Sequence, residues 1–403
     1  MNAPSSAPPP LKGIRVIDFS RQIAGPYAAM LLGDLGAEVI KIEQPGSGDD
    51  SRRLAPRFGD RSSVFIGNNR NKRSLELDLK SDAGREVALD LIDTADVLVE
   101  NFLCGVMDRL GLGYDTLAQR NPGLIYCSVT AFGHEGAFST RPGFDPVTQA
   151  DCGLFSLNGY EDRPPVRVAA PVIDVASGMT ALAAIQAALL GRYRTGRGQR
   201  VEVALFDVGV ALSAYFPITY MMNGALQERS GNQSQVGSPA GLFSASDGDF
   251  FMSCSTDRMF VKLARDVLHR DELCERPEFH TNSERLKNNN ILLAELDPIF
   301  ATKTRTQWVE SMLAAGIPAG AVRSIAEAVE SPEAQDRGIF TRIADPQLGE
   351  VANVAPPFRL EGSPLAPAQP APALGADNEA ILSAELGYST DRIAALRAGG
   401  AFG

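Results

Sequence analysis

Apolar and polar positions follow two alternating periods along the first half of this chain. Ile14-Arg15-Val16-Ile17-Asp18-Phe19 is a short apolar run bounded by turn residues, and it predicts a buried strand. Gly25-Pro26 then opens a helix-periodic stretch over Tyr27–Gly36, proline being suited to a first helical turn. Glu38–Glu43 reads as a second strand, so the three elements form a βαβ unit with a right-handed crossover. The alternation continues. Strands are expected at Ser74–Leu79, Asp96–Phe102, Leu124–Thr130 and Gln199–Leu205. Helices are expected from the Ser81 cap through Ile92, over Asp108–Arg120, and from Leu205 to about Met222. This predicts an α/β fold: a large Rossmann-like domain with a parallel sheet.

One stretch organises the rest. In Ala169–Thr180 an apolar run delivers a single carboxylate, Asp174, to the head of a long Ala- and Leu-rich helix that stops near Gly196. A carboxylate there feels the positive end of the helix dipole and is expected to stay ionised. Aspartate is also among the commonest N-cap residues. The residue alone leaves both roles open, cap or nucleophile.

The second half is patterned differently. Residues 11–225 read as the large domain, and a polar, glycine-containing linker near Leu226–Ser234 opens a smaller α+β domain over 226–330. Within it, Gly241–Ala245 and Phe250–Cys254 resemble a hairpin turning at Asp247-Gly248-Asp249. Helices are expected at Asp257–Leu268, Leu286–Ala301 and Arg305–Ala314. Residues 331–403 are read as a C-terminal segment, with a Pro/Ala-rich strap at Ala355–Pro372 and a helical tail over Asn378–Ala398. Residues 1–10 are Pro/Ser/Ala-rich and read as a flexible arm, without the basic and apolar regions of a signal peptide.

Composition narrows the chemistry. A net charge of −11 argues against nucleic acid or an anionic membrane as the main partner. Against that background Arg52, Arg53, Arg57, Arg61, Arg70, Lys72 and Arg73 reverse the sign locally, which suggests a phosphate-bearing ligand. The turn Ser20–Pro26 lacks the G-x-G-x-x-G fingerprint, so a dinucleotide oxidoreductase is disfavoured. Five scattered cysteines fit reduced thiols in a cytoplasmic protein, and three histidines far apart leave no metal-ligand spacing. No apolar run approaches a membrane span.

Taken in order, Ala24-Gly25-Pro26, Asp34–Glu43, Gly46–Asp49, Asn71–Ser74, Val99–Phe102, Gly143–Asp145, Asp174–Gly178 and Arg194–Gln199 resemble the class III CoA-transferases. The resemblance runs from Leu11 to about Leu396. It implies that Asp174 attacks an acyl-CoA thioester, passing through an aspartyl anhydride and an aspartyl-CoA thioester, with oxyanion help from backbone N–H groups at the helix head. It implies CoA contacts from Arg21, Gln22, Ile23, Ala24, Lys72, Arg73, Asn101, Phe102 and Arg109. It makes His134 and Phe144 substrate-pocket candidates. It further implies an interlocked homodimer, no permanently bound cofactor, no metal, succinyl-CoA as donor and a small dicarboxylate as acceptor. The racemase branch carries a general-base histidine where this chain has Phe144, so racemisation of 2-methylacyl-CoA is disfavoured. A non-catalytic CoA-binding protein would need Asp174 to be only a cap.

Overall fold

Six strands make the main sheet: β1 (Arg15–Asp18), β2 (Glu38–Glu43), β3 (Lys72–Glu76), β4 (Val97–Glu100), β5 (Ile125–Thr130) and β6 (Gln199–Ala204). They pair in the order β3-β2-β1-β4-β5-β6, every pair parallel. This is the order of a doubly wound nucleotide-binding sheet, and its direction reverses between β1 and β4. The structure is a computed structural model describing residues 7–59 and 61–403.

Both faces of the sheet are covered, which is why β4 and β5 read as unbroken buried runs. On one face lie α1 (Ala24–Asp34) and, further along the chain, the helix that carries Asp174. On the other lie α2 (Asp82–Asp93), capped by Ser81 through the Gly84 N–H at 3.0 Å, and residues of the C-terminal segment. Between them in sequence comes α3 (Asp145–Asp151). The Asp174 helix is α4 (Val172–Thr195), ended by Gly196 at φ +70°. Contrary to the sequence reading, α4 is long and apolar enough, by length and mean hydropathy (1.6), to cross a membrane. Its stripe Ser177, Gly178, Ala181, Ile185 and Ala188 is instead buried in the core. Two shorter helices, α5 (Leu205–Leu212) and α6 (Phe216–Asn223), follow β6.

The described residues divide into two compact units. The first takes the chain up to Leu154, Arg167–Ala225 and Arg337–Gly403; the second takes Phe155–Val166 and Leu226–Asp336. Residues 155–166, read from sequence as part of the large domain, belong to the second unit. The Arg229 guanidinium holds them through the Tyr160 and Arg163 carbonyls at 3.2 and 2.9 Å. That unit has a three-stranded antiparallel sheet of β7 (Ala240–Ala245), β8 (Gly248–Ser253) and β9 (Ala319–Ala321). Its core is aromatic, with Phe300 edge-on to Phe250 and to Trp308, each at 5.2 Å.

Three expectations need adjustment. A hairpin of β10 (Phe340–Asp345) and β11 (Gly349–Val354) went unread, because its residues are mostly exposed and the alternation is faint. The tail is not one helix: it stops around Gly387, at φ +65°, and restarts at the Ser389 cap as Thr390–Ala398. Of the arm at 1–10, residues 1–6 lie outside the described residues, and Pro9 packs on Gly36.

The C-terminal segment closes the outer edge of β3. Asp377 and Asn378 side chains accept the Ser74 and Glu76 N–H groups, both at 2.9 Å. The strap crosses nearby, pairing with Asn71 through Gln369.

The close approach of α1 and α4 needs glycine at 178. A Cβ there would sit 2.8 Å from the Ala24 carbonyl oxygen and 3.0 Å from the Tyr27 ring. At Gly191, on the same helix, a Cβ would meet only the end of the flexible Gln199 side chain, at an ordinary contact distance of 3.8 Å. Gly178→Ala is therefore expected to cost about 1–3 kcal/mol by overpacking. Gly191→Ala is expected to gain about 0.5–1 kcal/mol from helix propensity. Thermal melts of the two variants should move in opposite directions; equal shifts would contradict this packing.

Candidate active site

Asp174 is the third residue of α4, three positions inside Pro171, which stands at the cap position. The helix head is held from outside. Asp145, the first residue of α3, accepts the N–H groups of Ile173 and Asp174 through one oxygen, at 2.7 and 3.1 Å. Its other oxygen accepts from the Gln149 amide at 2.6 Å, and Gln149 grips the Val168 backbone at both its polar groups. Capping is thus done by Asp145. No hydrogen bond reaches the Asp174 carboxylate among the described residues.

This alters two expectations. Burial, and then the charge of Asp145, push the Asp174 carboxyl up to about 7, where sequence reasoning had the helix dipole keeping it ionised. The first-turn amides are also occupied: Ile173 and Asp174 by Asp145, Val175 by the Pro171 carbonyl at 3.0 Å. They are not free to hold an oxyanion.

At the switch point, the segment after β1 is locked to the segment after β4. The Asn101 side chain accepts the Arg21 N–H and donates to its carbonyl, both at 2.8 Å. The Arg21 guanidinium lies over the Phe102 ring, 5.2 Å from its centroid. Gln22 takes φ +67°, fixed by its N–H to Asp49 at 3.1 Å, and Ile23 and Ala24 turn the chain into α1. Arg21 and exposed Arg109 have no carboxylate partner among the described residues.

The rest of the basic cluster is spoken for. Lys72 is buried, and its ammonium donates to Asp18 at 2.8 Å, to the Pro26 carbonyl at 2.9 Å and to Asn69 at 2.9 Å. Burial pushes it down to about 8 against the pull of Asp18. Arg73 faces Glu38, Asp377 and Glu385. Arg52 pairs with Glu43, Arg53 with Asp50, Arg61 with Asp345 and Arg70 with Asp34. Lys72 and Arg73, expected to contact CoA, are thus engaged in internal ion pairs in this structure. Their acids come from distant parts of the chain, so a local count of charge could not reveal them.

Phe144 is 65% exposed and immediately precedes Asp145. His134 lies elsewhere, in a polar pocket of about 50 Å³ with Glu100, Tyr126 and Arg200. Tyr126 belongs to the core layer on the face of the sheet away from α4.

The profile of CoA-transferase family III matches residues 11–378. The chain belongs to that family. Mouse succinyl-CoA:glutarate CoA-transferase is 33% identical over 97% of this chain and 90% of its own length. The acetyl-CoA:oxalate CoA-transferase of Acetobacter aceti is 36% identical over 84% of this chain and 87% of its own. A CAIB/BAIF family protein from Brucella suis superposes with a TM-score of 0.85 at 34% identity, covering 94% of this chain and all of that one.

For a CoA-transferase the site contains two residues that sequence reasoning did not assign. Asp145 was noted only as part of Gly143-Phe144-Asp145, and the signal available was a second acid close to the Asp174 helix. Glu100 was noted only as part of Val99–Phe102. Neither spacing showed what the carboxylates bind.

Two outcomes follow from these electrostatics. The folded state holds Asp174 near 7 against an ordinary value of 3.8, so folding loses stability as pH rises between those values, and the penalty is complete above about 7. Asp174→Asn should therefore be more stable than wild type at pH 8, by about 1–2 kcal/mol after discounting partial exposure, and equal to it at pH 4. Melts at the two pH values check this, and no gain at pH 8 would refute it. Lys72→Met should cost about 3–5 kcal/mol by stranding the buried Asp18 charge. Arg73→Met, whose pairs are partly exposed, should cost about 1 kcal/mol or less in the same urea titration.

Proposed function

We propose that this CoA-transferase moves CoA from succinyl-CoA to a small dicarboxylate in the cytoplasm, with Asp174 as the covalent nucleophile. The observation that carries the reading is a carboxylate at a helix head that caps nothing and accepts no hydrogen bond among the described residues. Free of donors and partly desolvated, it is more basic than an ordinary aspartate, which favours attack once it is ionised. Asp174 adds to the thioester carbonyl and expels CoA thiolate, leaving a mixed anhydride. The thiolate then attacks the aspartyl carbonyl, releasing succinate and forming an aspartyl-CoA thioester. The acceptor carboxylate repeats the sequence in reverse, so that the new acyl-CoA leaves and Asp174 is restored as a carboxylate. Each difficult acyl exchange becomes several easier ones.

The CoA moiety is assigned to the switch-point rim, where Arg21 and Arg109 supply positive charge and Asn101 and Phe102 supply a polar clamp and an apolar face. Phe144 cannot move a proton, so the racemase alternative lacks its base. A homodimer is part of the proposal. On the first unit Tyr193, Met221 and Met222 are 89%, 82% and 82% exposed, large apolar side chains of the kind a second copy covers.

The test is mass spectrometry of CoA esters after mixing succinyl-CoA with single carboxylates, glutarate and oxalate included, at pH 6 and pH 8. Wild type should form a new acyl-CoA faster at pH 8, because Asp174 must be ionised to attack. Asp174→Ala should form none. A product that persists in Asp174→Ala would end the nucleophile assignment.

A further inference from the structure

Glu100, the last residue of β4, is 2% exposed and takes no part in the transfer described above. One of its carboxyl oxygens accepts the Ser128 hydroxyl, and the other accepts the Phe102 N–H at 2.8 Å. Phe102 supports the Arg21 guanidinium, and Asn101, between the two, holds the Arg21 backbone at both its polar groups. A single carboxyl group therefore fixes the turn that joins the β1 and β4 segments across the switch point.

We propose that Glu100 is a positioning residue for the CoA thioester: ionised, it holds the Asn101–Phe102 turn against Arg21, and protonated, it loosens that turn. The inference rests on the reading of the rim as the CoA site. Its physical basis is that a carboxylate accepts a shorter and stronger bond from an amide N–H than a neutral acid does. The protein senses pH at this point through a group that faces away from the reacting atoms.

The surroundings place the switch near neutrality. Burial, opposed by the Ser128 hydroxyl and the Phe102 N–H, brings the Glu100 carboxyl up to about 7. From β5 it is faced by Tyr126, while Cys127 lies on the other side of the sheet; both are pushed well above their usual ranges, by burial first and then by Glu100, so both stay neutral. From β6 Arg200 contributes positive charge, opposed by Asp108 on the short helix Val106–Arg109. Tyr114 and Asp115 close the pocket from the next helix. On the loop between β4 and that helix, burial and then Glu100 and Glu202 raise the Cys104 thiol. His134 presents a buried Nε2 that lacks a hydrogen-bond partner among the described residues. Burial, then Arg200, hold its imidazole below the usual range.

The experiment is calorimetric titration of CoA into the full-length protein at pH 6, 7 and 8, for wild type, Glu100→Gln and Ser128→Ala. The titration of CoA's own phosphate is common to all and cancels in the comparison. Wild type should gain about three- to tenfold more affinity than Glu100→Gln between pH 6 and pH 8. Glu100→Gln should show only the change common to all variants, without the added gain. Ser128→Ala loses the hydroxyl that favours the ionised form, so its midpoint should move to higher pH. It supplies the same test if Glu100→Gln does not fold. Identical pH profiles in wild type and Glu100→Gln would overturn the proposal, as would an unmoved midpoint in Ser128→Ala. Arg21→Ala and Phe102→Ala separate the two levels of the argument. If both leave CoA affinity unchanged, the rim is not the CoA site and the proposal falls with it. If both weaken binding while Glu100→Gln keeps the wild-type profile, only the role of Glu100 falls.

Discussion

Two lysine ammonium groups buried in a parallel sheet hold the working rim in place. Lys41 on β2 meets the Ser20 carbonyl at 2.7 Å, Asp49 at 3.0 Å and Asp18 at 3.9 Å, while Lys72 on β3 fills its three donors on the Asp18 side. Burial alone would raise Asp18 and Asp49; the lysines overcome it and hold both carboxyls below their ordinary range. Such a network is tolerable in a low-dielectric interior only because its donors are matched by acceptors. Its acceptors include the backbone that turns from β1 toward α1. Asp49 also takes the Gln22 N–H, so a residue at positive φ is fixed from two sides. The cost of that conformation is met by interactions beneath it, not by the turn itself.

Asp174, the proposed nucleophile, is arranged by the opposite principle. Asp18 and Asp49 are each held by hydrogen bonds and a lysine ammonium; the Asp174 carboxylate has neither among the described residues. Asp145 takes over the capping duty, and in doing so removes the helix-head donors that would otherwise quiet the Asp174 carboxylate. It also adds a negative charge that makes ionisation harder. The protein accepts a less stable helix head in exchange for a more basic carboxylate, a familiar trade between stability and activity.

The sequence was most informative where one physical signal acts over short range. Strands β1 to β6 and helix α4 were legible because apolar periodicity is local, and the glycine that ends α4 announced itself. Asp174 stood out because an isolated acid in an apolar run is conspicuous. Charge was misleading for the same reason. Arg73 looks free for a ligand in its own neighbourhood, yet it meets Glu385 from the far end of the chain. The role of Asp145 was hidden because it caps a helix 28 residues away. The hairpin of β10 and β11 escaped because little of it is buried, leaving no periodicity to detect.

The closing of β3 has a consequence for how the protein is made. Its edge amides at Ser74 and Glu76 bond to residues 303 and 302 positions later. While the ribosome extends the chain, the sheet therefore waits with an unpaired border through most of synthesis. An open strand edge is a template for pairing with another nascent chain. The central strands can assemble early, but the sheet becomes safe from its neighbours only when Asp377 and Asn378 have emerged. Newly made protein should thus remain exposed to misassembly until residues 377 and 378 are made, long after Asp174.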